Sequence, residues 1–124
     1  MNNLIPLGKW LFLLPFVLFG YNHLMHYTEL NDMVPNYLPI KAFWIIFTGV
    51  AQLAFVGSVL LGKYDKLGAL LLSVMLIIFI VLVHLPGVIA GNSGAIYGLV
   101  KDAGLAGGAL MYAGSYARDN SMVG

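Results

Sequence analysis

Long apolar runs separated by short polar punctuation set the pattern of this chain. The first run extends from about Gly8 to Tyr27, with Trp10 and Tyr27 placed to anchor its two ends at membrane interfaces. Pro15 inside it removes one backbone donor and predicts a mild kink. The second, residues 42–62 between Lys41 and Lys63, carries no charge, and a spanning helix needs about 20 such residues. The third, Leu67 to Val83, is apolar apart from Ser73, and Pro86 and Gly87 are expected to stop it. Lys101 and Asp102 stand at the start of the fourth. From Ala103 to Ala117 that run is built almost wholly of Ala, Gly, Leu, Met, Ser and Tyr.

The pattern predicts an all-α integral membrane four-helix bundle of antiparallel up-down topology, one domain covering 1–124. Its helices fall at about 8–28, 41–62, 66–85 and 96–117. Residues 29–40, broken by Pro35 and Pro39, form a loop or short interfacial helix outside the membrane. The Gly62–Lys66 turn is too short for anything but an antiparallel hairpin. Gly104 and Gly108, four apart, are expected to share a face that lets a partner backbone come close.

Composition supports this. The chain is 60% hydrophobic and 9% charged, with a mean hydropathy of +0.90, whereas soluble domains carry about 25% charged residues. A net charge of +1 on scattered basic residues gives no footprint for nucleic acid. The absence of cysteine removes disulfides, thiolate metal sites and dithiol chemistry. Lys9 and the apolar stretch after it imitate a secretory signal, but no small-residue cleavage site follows, so the segment reads as retained. Lys9, Lys63, Lys66 and Arg118 fall on one side and Lys41 and Lys101 on the other, which by the positive-inside rule makes both termini cytoplasmic and the 29–40 loop exoplasmic.

Polar residues concentrate in the exoplasmic half. Asn22, His23 and His26 end the first helix, and His84 ends the third. Lys101 and Asp102 open the fourth. Thr48 and Gln52 lie four apart on the second, with Gln52 about eleven residues in and so ~16 Å deep. Each has a plain structural explanation: histidines cap helix ends, Lys101 snorkels, Asp102 suits the helix dipole, Glu29 and Asp32 are solvated, and Gln52 hydrogen-bonds another helix. Together they outline a pocket between bundle helices, the usual setting for a small ligand.

Gly20 to His26, Val34 to Pro39, Gly49 to Gln52 and the Lys-Asp-x-x-Leu-Ala-Gly-Gly-Ala-Leu stretch of Lys101 to Leu110 resemble, in order and spacing, the DoxX family of small four-helix membrane proteins. The resemblance implies residence in a bacterial inner membrane, association with membrane redox complexes and quinone as a cofactor. The family usually carries an acidic residue where this chain has Gln52, and an amide cannot release a proton.

Three functions are therefore carried forward. One is a redox-linked accessory subunit or binding protein for a quinone or lipid, using Asn22, His23, His26, Thr48, Gln52, His84, Lys101 and Asp102. Another is a non-catalytic structural or assembly partner of a membrane complex, or a homo-oligomer, in the bilayer. The last is a metal or haem site on His26 and His84. No nucleophile, complete metal set or nucleotide loop is present, so no catalytic residue is assigned.

Overall fold

A computed structural model describes residues 3–34, 36–121 and 123, with the side chains of 31–33 excepted. Pro35 and the Asp32 side chain thus lie outside the described residues. Every regular element among these residues is helical. Helix α1 is Leu7–Met25, followed by a 3-10 turn at Tyr27–Met33. Helix α2 is Lys41–Leu61. Helix α3 runs without a break from Asp65 to Ile89, with a π turn at Ile80–His84. Helix α4 is Ala95–Ser115. Helices α2 and α3 are long and apolar enough to cross a membrane.

Three boundaries differ from the expectation. Helix α1 stops at Met25, because His26 leaves helical geometry at φ −126° and ψ 35°. Pro86 and Gly87 do not stop α3. Proline is tolerated at the first turn of a helical segment, and the π turn just before it restarts the helix there. Pro86 cannot donate to the carbonyl four residues back, and the Tyr37 hydroxyl donates to that carbonyl, on Leu82, at 3.2 Å. Lys101 and Asp102 sit in the second turn of α4 rather than at its opening.

The helices pair antiparallel. Helices α1 and α2 cross at two glycines: a Cβ added to Gly49 would lie 2.8 Å from His23 Cβ and 3.1 Å from the Gly20 carbonyl oxygen. One added to Gly20 would lie 3.2 Å from the Gly49 carbonyl oxygen. Only hydrogen fits on either side. The glycine face expected on α4 is not used this way: Gly108 receives the Phe12 ring, and Gly104 has nothing within 4 Å. Within the chain, α1 meets Gly108 with a bulky ring instead of a backbone, and Gly104 is left exposed. Phe12, Phe16, Phe55 and Tyr112 join α1, α2 and α4 through aromatic contacts with centroids 5.2–6.4 Å apart.

Asp65 ties α3 to the end of α4. Its fully buried carboxylate accepts from the Tyr112 hydroxyl at 2.8 Å and from the backbone N–H groups of Arg118 at 2.9 Å and Asp119 at 2.8 Å. The Arg118 guanidinium donates to the Val59 carbonyl near the end of α2, at 2.6 Å. Asp119 accepts from the Tyr64 N–H at 2.7 Å, and hydrogen bonds from Ser121 and then Tyr64 hold its carboxyl down at about 2. That link is thus intact at neutral pH and weakens only as pH falls from the ordinary carboxylate range toward 2.

Two comparisons test this packing. Gly49→Ala should destabilise the protein by about 1–3 kcal/mol through overpacking. Gly57→Ala, which meets nothing within 4 Å, should stabilise it by about 0.5–1 kcal/mol. Asp65→Ala leaves buried donors without an acceptor and should cost about 2–4 kcal/mol. Reversible unfolding in mixed detergent micelles measures all three.

Candidate functional site in the cleft between α2 and α3

Helices α2 and α3 are joined by the tight turn at Gly62 but do not close on each other along their length. Between them lies a cleft of about 1050 Å³. Its sides are apolar: Trp44, Phe47, Ala51 and Phe55 from α2 face Leu71, Met75, Ile78 and Phe79 from α3. Its polar residues come from all four helices. Asn22, His23, Thr48, Gln52, His84, Lys101 and Asp102 all line it.

The polar groups have distinct partners. The His84 ring is buried, with Nε2 2.8 Å from Asp102 Oδ2. The carboxylate accepts, so Nε2 carries the hydrogen. The other face of the ring lies against Gly98, where a Cβ would come within 2.7 Å of it. Inward positions of α3 include Asp65, Ala69, Leu72 and Leu76, and regular spacing would continue through 79 or 80 to 83. The extra residue of the π turn advances that position to His84, a common use of such bulges at functional sites. Lys101 Nζ stands 3.5 Å from Asp102 Oδ1 and 4.5 Å above the Phe19 ring. Asp102 therefore takes the His84 N–H on one oxygen and faces the Lys101 ammonium with the other.

His23 Nδ1 is 2.6 Å from the Phe19 carbonyl oxygen. A carbonyl cannot donate, so Nδ1 bears the hydrogen and Nε2 keeps a lone pair. Thr48 gives its hydrogen to the Ile45 carbonyl at 2.8 Å. Gln52 is different. Only 4% exposed, it has a buried Oε1 with no hydrogen-bond partner among the described residues. Buried amide oxygens are normally paired.

His26 is set apart from this group. It is exposed beyond the end of α1, 3.6 Å from Glu29 and edge-on to the Tyr21 ring. The three-residue spacing to His23 failed to put both on one face because the helix ends between them. His26 does not line the cleft that His84 lines, and no group of three or more His, Asp or Glu side chains among the described residues is arranged to hold a metal.

A second cavity of about 600 Å³ adjoins the first on the loop side, lined by Asn36, Tyr37, Asn92 and Gly94 and, from α3, by His84. His84 therefore borders both. Sequence reasoning did not find this cavity, since the loop residues that close it over α3 and the start of α4 carry no periodic signal. The Gly98–His84 contact was equally hidden, although a glycine on the α4 face opposite a histidine-bearing helix was the available sign.

A family model described as a domain of unknown function, DUF8561, matches residues 13–93. The chain belongs to this family. The matched region takes in the α1–α2 crossing, the cleft walls and every candidate polar residue except Lys101 and Asp102. No curated protein and no solved structure matches the chain.

Gln52→Leu keeps the side-chain volume and removes the unpaired oxygen, whose burial costs about 1–3 kcal/mol. The variant should be more thermally stable than the parent, as read by its melting temperature in detergent. A drop would mean that the amide has a structural partner.

Proposed function

We propose that this protein is an integral four-helix membrane protein that binds an amphipathic small molecule, a quinone or lipid, in the α2–α3 cleft. It resides in a bacterial inner membrane with both termini in the cytoplasm, and it serves there as a redox-linked accessory protein. The observation that carries the binding role is the buried Gln52 oxygen, unpaired at the polar floor of an otherwise apolar cleft.

Several features support the membrane setting. Only 39% of the most apolar stretch of α2 and 28% of that of α3 are buried within the protein, whereas a core helix of a soluble domain is mostly buried. Leu11, Leu14 and Leu18 on α1 and Ile77, Val81 and Leu85 on α3 point outward. Exposed apolar surface on this scale belongs against lipid or a partner. The four-to-two distribution of basic residues supports the orientation. The likeness to DoxX proteins supports quinone among the ligands and a link to redox complexes.

A second reading, a scaffold that joins other chains or its own copies, is favoured by α4. There Gly104, Gly107 and Gly114 have nothing within 4 Å, beside an exposed Met111. Such open small-residue positions permit close helix association in lipid.

Diazirine-bearing quinone and phospholipid probes, irradiated in native membranes and mapped by mass spectrometry, test the first reading. Labels should concentrate on Trp44, Phe47, Leu71, Met75 and Phe79. Labels spread evenly over the outward faces, Leu14 and Met111 included, would reject it.

A further inference from the structure

The hydrogen-bonding sense of the cleft narrows the ligand. Most side-chain donors near Gln52 are already engaged with the protein itself. Thr48 and Ser58 turn their hydroxyl hydrogens to the Ile45 and Phe55 carbonyls at 2.8 and 2.6 Å. Trp44 Nε1–H is held by the Pro39 carbonyl at 2.8 Å. The Nδ1–H of His23 is given to Phe19, and the Nε2–H of His84 to Asp102. The Lys101 ammonium leans on Asp102 and the Phe19 face.

What remains near Gln52 is mainly a set of acceptors: Gln52 Oε1, the lone pair of His23 Nε2 and the hydroxyl oxygens of Thr48 and Ser58. The Gln52 NH2 is a neutral donor at the same depth, and Asn22 stands exposed with both kinds of group. An amide is complemented by a hydroxyl, which donates to its oxygen while accepting from its nitrogen. A ketone, ether or ester would leave the buried oxygen unpaired, which is the larger loss. A carboxylate would add a second negative charge beside Asp102, which already faces the Lys101 ammonium, and would meet lone pairs on several sides.

We infer that the cleft selects neutral lipids with a hydroxyl head, alcohols or hydroquinones, over the corresponding carbonyl, ether or anionic compounds. This rests on the binding role proposed above and adds its chemical selectivity. The selectivity comes from Gln52, supported by His23. Hydrogen-bond readout of this type discriminates strongly because the mismatched ligand strands a buried polar group.

The test uses the full chain in phospholipid nanodiscs. Trp10→Phe leaves Trp44, on the cleft wall, as the remaining tryptophan. Its fluorescence is titrated with 1-dodecanol, 1-methoxydodecane and dodecanoate at matched bilayer mole fractions. The alcohol should saturate the signal with an apparent Kd at least tenfold below those of the ether and the carboxylate. In Gln52→Leu the alcohol and ether should agree within threefold. Saturable binding of ether and alcohol with equal Kd in the parent, or tightest binding of dodecanoate, overturns the selectivity while leaving the binding role standing. No saturable response to any of the three overturns both. The comparison in the parent chain decides the matter even where the leucine variant does not fold.

Discussion

The constraint on which the rest of this structure depends is the buried carboxylate of Asp65. Three donors converge on its two oxygens, and they come from the end of α4 and the segment just beyond. Arg118, positioned by that same contact, reaches across to α2. One side chain thus fastens the ends of three helices. At the opposite end, α3 and α4 are joined again by His84 and Asp102. Helix α3 is thus held to α4 at both extremities and α1 to α2 at the glycine crossing, and the space left between these two pairs, along α2 and α3, is the cleft.

That space is not merely unfilled. An apolar side chain at position 52 would make it a simple hydrophobic groove. Instead a glutamine is held there by the α1–α2 crossing, one turn from Gly49. Nearby polar residues have satisfied themselves locally through helix carbonyls or through mutual ion pairing. The polar chemistry of the cleft is therefore sparse and of one main sense, which is the basis for selectivity in a site where shape alone would admit any alkyl chain.

Helix number, type and approximate extent were legible in the sequence because uncharged runs between Lys41 and Lys63, or Leu67 and Val83, leave few alternatives. The clustering of Asn22, His23, Thr48, Gln52, His84, Lys101 and Asp102 was legible from depth and sidedness. His26 was misplaced because periodicity says nothing of where a helix ends by leaving α geometry. Gly104 and Gly108 were given the close approach that belongs to Gly20 and Gly49; the latter lie on different helices, and no local spacing links them. Asp65 read as one charge in a short polar turn, since its donors come from residues about fifty positions away.

The bond from Tyr37 to the Leu82 carbonyl has a further consequence. In a regular helix each main-chain carbonyl already holds an N–H, so no one level is preferred and a loop crossing it can settle at many heights. Pro86 creates a vacancy in that ladder at one carbonyl, and the hydroxyl is aimed there. The defect works as an address. It fixes the loop to one level of α3, and that level is the π turn from which His84 faces both cavities.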